Sequence, residues 1–255
     1  MAGRRVLILG GTNEAVDLAA RLHEMDGLEV ISSLAGVTTK PRLPDGAIRR
    51  GGYGGADGMA AYLRDQDISA VVDATHPHAA QISRHAEQAG EATGVSVLHL
   101  TRAPWNPVIG DVWYVVKNAG EAAEWLATSS LPDGARVLLT IGRSDLGAFA
   151  KANRLRLIAR SIEAPDSDTA AIMDQVILER GPFSLESERR LLAENEIACV
   201  VAKNSGGESS YPKIQAARER GLPVVMIQAP PPPGGHIVHA PADAVAWIEA
   251  RLGRL

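Results

Sequence analysis

Gly10-Gly11-Thr12-Asn13-Glu14 closes an apolar run and opens a segment of helical period, the place where a doubly wound sheet puts its phosphate-binding turn. Gly10 and Gly11 let the main chain approach a phosphate, and Thr12 adds a hydroxyl. The turn lacks the full Gly-x-Gly-x-x-Gly pattern, so a tight strand-to-helix turn is the alternative. At the next strand end, Ile31-Ser32-Ser33-Leu34 carries no carboxylate to hold a ribose 2′-hydroxyl. Ser32 and Ser33, followed by Lys40 and Arg42, suit a 2′-phosphate and predict NADPH as the coenzyme, against a solvated loop with chance charges. Gly51 to Gly58 holds five glycines in eight residues, freedom that is costly to order and that fits a main chain pressed against a bulky ligand at Gly52 and Gly54. Tyr53 in that loop is a candidate substrate contact.

Asp73-Ala74-Thr75-His76-Pro77-His78 follows a fourth strand. Thr75 there suits a nicotinamide ribose, and His76, with a reference pKa near neutrality, suits proton delivery or substrate positioning. If Pro77 is the first residue of a helix, His76 lies in the cap region and its ring serves a backbone donor instead. No cysteine or carboxylate cluster completes a metal set around His76 and His78, so no metal is expected. Further along, Arg143 and Ser144 follow one strand and Lys203-Asn204-Ser205-Gly206-Gly207 another, with Lys213 near a helix start. Cations and backbone donors at strand ends make sites for carboxylates, and a solvated helix cap is the alternative. Ser205 lacks the Gly-x-Ser-x-Gly elbow of a nucleophile.

These turns need a scaffold, and the apolar pattern supplies one. Strands are predicted at residues 5–9, 28–32, 47–50, 70–73 and 95–99, with helices at 13–25, 57–64 and 77–88. Continuous apolar strands joined by helices mark a parallel sheet covered on both faces. After the proline-rich stretch 102–107 the alternation resumes, with strands at 112–116, 136–141, 155–159, 175–179, 197–202 and 223–227. Helices are predicted near 120–127, 145–151, 185–194, 211–220 and 242–252. The expected domains are therefore 1–102, binding coenzyme, and 103–255, binding substrate. Pro230 to Pro233 reads as a spacer.

A chain of 255 residues with 45% hydrophobic and 22% charged residues is long enough for two ordinary globular domains. Its net charge of −4 provides no basic field for nucleic acid or an acidic membrane surface. The apolar run Val6–Leu9 is too short for an export signal, and no stretch reaches the length of a membrane span. Cys199 is the sole cysteine, as expected in the cytoplasm.

Taken in order, residues 10–14, 50–58, 73–79 and 203–207 resemble the precorrin-6A reductase family of the cobalamin pathway, over the whole chain. The resemblance implies two Rossmann-like domains with parallel sheets and a ligand cleft between them, NADPH as coenzyme, and a tetrapyrrole substrate, precorrin-6A, reduced at one double bond to precorrin-6B. It implies neither flavin nor metal. Two other readings share the first half: an NADP-dependent reductase of a smaller carbonyl or imine, and a non-catalytic NADPH-sensing protein.

Overall fold

The computed structural model describes residues 4–35, 43–231 and 234–253. The chain divides into two units, residues 1–103 with 230–255, and residues 104–229. The expected boundary near residue 103 is matched by a second at residue 230, so the assignment of 103–255 to one domain is corrected. The last segment returns to the first unit because its short strand completes that unit's sheet.

In the first unit the strands are β1 Arg4–Leu9, β2 Leu28–Leu34, β3 Ala47–Arg50, β4 Ile68–Asp73, β5 Ser96–Leu100 and, from the end of the chain, β12 His236–Val238. They form one sheet in the order β3-β2-β1-β4-β5-β12, all parallel. Helices α1 Asn13–His23, α2 Ala56–Asp65, α3 Ala80–Thr93 and α8 Pro241–Leu252 cover it. Alternate residues of β1 face opposite layers: Val6 and Ile8 pack with Leu18, Leu22 and Ile248 of α1 and α8. Leu7 and Leu9 pack with Met59 and Leu63 of α2 and Ala86 of α3. Both faces are dry, which is why these strands read as unbroken apolar runs.

The second unit contains β6 Val112–Val116, β7 Arg136–Thr140, β8 Arg156–Ser161, β9 Gln175–Leu178, β10 Ile197–Lys203 and β11 Pro223–Ile227. Its parallel order is β9-β8-β7-β10-β11-β6. Counted from β1 and from β7, both sheets have the 3-2-1-4-5-6 order of a doubly wound fold. In each, the sixth place is taken by a strand that follows the other unit's fifth: β6 after β5, and β12 after β11. Helices α4 Ala119–Thr128, α5 Ser167–Ala171, α6 Leu185–Glu194 and α7 Pro212–Glu219 complete the unit, and Arg143–Lys151 forms a 3₁₀ helix where a regular helix was expected.

Three local differences bear on the site. β2 runs two residues beyond its expected end, because Leu34 accepts a hydrogen bond from the Gly51 N–H and Ser33 accepts one from the Gly10 N–H. α3 begins at Ala80 rather than Pro77, since Ala79 N–H donates to the His76 carbonyl at 2.7 Å and closes a separate turn before the helix. β12 escaped the sequence reading because three residues behind two glycines carry too little period to register. Among the described residues no helix is long and apolar enough to cross a membrane.

Candidate functional site

The sheet of the first unit reverses its winding between β1 and β4, and ligands of doubly wound sheets bind outside the strand carboxyl ends at such a point. The turns after these strands are tied together there. Thr12 caps α1, its Oγ1 accepting from the Ala15 N–H at 3.2 Å, and donates its hydroxyl proton to the Ala74 carbonyl at 2.7 Å. Thr12 is thus a fastener between the turns. Gly11 stands at φ 123°, and a side-chain carbon there would enter open space, so its main chain lies bare on the side where a ligand would approach. Glu14, in the first turn of α1, would repel an anion, but Arg102 grips it with two hydrogen bonds of 2.8 and 2.6 Å. Burial pushes the Glu14 carboxyl up, yet Arg102 holds it below its ordinary value.

The serines lie at the end of β2, as expected, and not in the solvated loop of the alternative reading. Both are buried within the strand. Among the described residues the Ser32 hydroxyl has no hydrogen-bond partner, and Ser33 Oγ accepts from Arg49 at 3.4 Å. Lys40 and Arg42 lie outside the described residues. The cation at this strand end is Arg49, which the sequence reading missed. It lies on β3 in register with Ser33, donates to the Gly51 and Gly52 carbonyls at 2.5 and 2.7 Å, and stacks 3.7 Å from the Tyr53 ring centroid. Tyr62 lies edge-on to Tyr53. Tyr53, expected at the substrate, is therefore the platform under Arg49. Its burial raises the phenol pKa. Gly52 and Gly54 are exposed in the same loop, whose close approach to α2 demands glycine elsewhere. A Cβ on Gly58 would lie 1.7 Å from the Tyr53 carbonyl oxygen.

After β4, Asp73 Oδ1 accepts from both the backbone N–H and the hydroxyl of Thr75, at 3.1 and 2.6 Å. His76 is exposed, and its Nδ1 accepts from the His78 N–H at 3.2 Å. That bond places the proton of the neutral ring on Nε2. Behind the turn, buried His99 of β5 bridges Asp73 and Glu87, a constellation that was also missed. Its parts lie 26 and 12 residues apart along the chain, with no motif to join them.

In the second unit the corresponding turns follow β7 and β10. Arg143 pairs with Glu163 at 3.0 Å and Lys203 with Asp145 at 2.5 Å, while Ser144 Oγ lies 3.4 Å from Asp145. Asn204 is a clamp on the chain entering this unit. Its side chain accepts from the Trp105 N–H and donates to the Trp105 carbonyl, both at 2.9 Å, and also donates to Gln228. Ser205 is buried against Ser210. Gly206 and Gly207 take φ values of 62° and 71°, and the Gly207 carbonyl accepts from the Trp105 indole at 2.8 Å. Lys213, expected as a substrate cation, is only 5% exposed and donates to the Ser210 carbonyl. Burial, with Arg160 nearby, lowers its pKa to about 8.

A parallel sheet in 3-2-1-4-5-6 order with a bare glycine turn at the reversal point defines a Rossmann-type α/β protein, here with two such units in one chain. Residues 5–249 match the family described as precorrin-6x reductase CbiJ/CobK. The chain belongs to this family. It is 45% identical over 246 residues to the precorrin-6A reductase of Rhodococcus erythropolis, covering 96% of this chain and 97% of that protein. It is 42% identical over 251 residues to that of Mycobacterium tuberculosis, covering 97% and 99%. A solved structure of CobK precorrin-6A reductase superposes with a TM-score of 0.88 at 36% identity, over 98% of each chain.

Proposed function

We propose that this chain reduces precorrin-6A with NADPH, the first unit binding the coenzyme and the second contributing contacts to the substrate's carboxylate arms. The observation that carries the coenzyme choice is Arg49. A guanidinium stacked on Tyr53 at the carboxyl edge of β2 and β3 is where a doubly wound sheet reads the coenzyme's ribose. Its hydrogen bonds go to neutral carbonyls and a hydroxyl. A 2′-phosphate would exchange those for charge-assisted bonds, which are roughly twice as strong.

The other residues divide the work. The Gly10-Gly11 main chain and the start of α1 receive the pyrophosphate, with Glu14 neutralised by Arg102. Thr75 meets the ribose or carboxamide at the β4 turn. When bound, NADPH supplies the hydride that adds to one double bond of the macrocycle. His76, carrying a proton on Nε2, orients the substrate or delivers the proton that completes the reduction, with solvent as the other source.

Arg143 and Lys203 meet substrate carboxylates by exchanging their present partners. A solvent-accessible ion pair is worth only about 0–1 kcal/mol, so Glu163 gives way cheaply. Arg143 is 43% exposed. Asn204, Ser205 and Lys213 shape the turn instead.

Two measurements test the proposal. Anaerobic incubation with precorrin-6A and NADPH is expected to consume the nicotinamide absorbance in step with the change in the tetrapyrrole spectrum; no loss under saturating conditions overturns the activity. A fluorescence titration is expected to give tighter binding of NADPH than of NADH. Equal affinities remove the role given to Arg49.

A further inference from the structure

His99 lies on β5 inside the first unit, with a carboxylate on each ring nitrogen. Nδ1 is 3.0 Å from Asp73 Oδ2, and Nε2 is 2.5 Å from Glu87 Oε1. An ionised carboxylate only accepts hydrogen bonds, so a neutral imidazole, with one N–H, leaves a lone pair facing an anion on its other side. Two N–H donors satisfy both. The group is then an imidazolium between two carboxylates, and among the described residues no such cluster is arranged to hold a metal.

The second oxygen of Asp73 is also occupied. Oδ1 takes the hydroxyl proton of Thr75 at 2.6 Å as well as its backbone N–H. With its proton directed at Asp73, the Thr75 oxygen has only lone pairs left to offer. The chain of contacts runs from Glu87, which is 30% exposed, through a ring only 2% exposed, to the turn at the end of β4. Around it, β4 contributes Asp73 and α3 contributes Glu87. From the β12 segment come Ile237, in register with His99, and Gly235 beside Glu87. The titratable groups of that segment are His236 and His239, the latter bonded to the Thr101 carbonyl.

We infer that Asp73, His99 and Glu87 form a charge-locked relay of positioning residues that fixes Thr75 as a hydrogen-bond acceptor for a hydroxyl or amide donor of the bound coenzyme. The inference rests on the reading that the β1 and β4 turns receive NADPH. Burial disfavours the imidazolium, but the two carboxylates outweigh it and hold the His99 pKa above its ordinary value. Burial pushes the Asp73 carboxyl up, but the hydrogen bonds from His99, from Ser83 of α3 and from Thr75 together hold it below its ordinary value.

The first arm is nitrogen-15 NMR of the histidine rings at pH 7. Both nitrogens of His99 are expected to be protonated, with the midpoint lowered in Glu87→Gln; a neutral His99 ring at pH 7 overturns the relay. The second arm is NADPH binding. Thr75→Ser is expected to keep the wild-type affinity within about twofold, whereas Thr75→Val and His99→Gln each weaken it about tenfold, the worth of one hydrogen bond to a fixed acceptor. Circular dichroism controls for folding. If Arg49→Met weakens NADPH binding and His99→Gln does not, the relay falls alone. If neither variant weakens it, the coenzyme reading and the relay fall together.

Discussion

The two units each place an arginine at the corresponding corner of their own sheet and use it in opposite ways. In the first, Arg49 extends from β3 towards Ser33 and stacks on Tyr53 of the following loop. In the second, Arg160 occupies the β8 position equivalent to Ser33 and stacks 3.9 Å from Phe183 of the loop after β9. The helix packed behind differs as well. The fourth residue of α2 is Met59, buried among Leu7 and Leu63, whereas the fourth residue of α6 is Glu188, which binds Arg160 at 2.8 Å. Arg160 and Glu188 are both buried and pair with each other, while among the described residues the acceptors of Arg49 are neutral. One winding scheme thus yields an arginine facing neutral acceptors in one unit and an internal ion pair in the other, the arginine standing on the third strand in the first and on the second strand in the second.

Breaking that comparison gives its largest effect in the second unit. Glu188→Ala leaves buried Arg160 with only the half-exposed Glu179 carboxylate, 3.9 Å away, as counter-charge and is expected to cost about 3 kcal/mol of stability by denaturant unfolding. NADPH affinity should hold under conditions where the protein remains folded. Replacing Arg160 and Glu188 together by Met and Leu is expected to recover most of that loss, since a buried pair contributes little against well-packed apolar side chains.

In the first unit Arg49→Met should do the reverse. Stability is expected to change little, and NADPH affinity to fall about 10- to 100-fold with NADH affinity unchanged, the worth of hydrogen bonds to a charged group. A loss shared equally by both coenzymes would make Arg49 a loop-holding residue only. Ser33→Asp sharpens the same point by giving Arg49 the carboxylate that Arg160 already has. It should shift preference towards NADH by about 1–2 kcal/mol, read as a ratio of dissociation constants.

The smallest effect is expected at the exposed turn of the second unit. Arg143→Gln should raise KM for precorrin-6A a few-fold and leave kcat nearly unchanged, as fits the loss of one exchangeable surface cation. An unchanged KM would exclude Arg143 from substrate binding.

Local residues fixed what depends on a few neighbours. The buried strands announced themselves because both faces of each sheet are covered, so every position of Val6–Leu9 or Val200–Ala202 is apolar. Gly11 and the Asp73–Thr75 turn were legible because a strand end followed by glycine or a short polar turn is a local event. The roles of side chains were less so. Lys213 looked like a surface cation at a helix start, and only packing beneath Trp105 and near Arg160 made it a core lysine. Asn204 looked like a ligand donor, and its partner Trp105 lies 99 residues earlier.

Tertiary structure alone decided three things. The membership of β12 in the first sheet follows from its pairing with β5, a contact between residues more than 130 positions apart that no periodicity encodes. Arg49 gained its place from register with Ser33 across β2 and β3. His99 gained its two carboxylates from α3 and β4. In each case the sequence supplied the residue type, but the charge a group feels depends on which neighbours folding brings within a few ångströms, and those neighbours are remote along the chain.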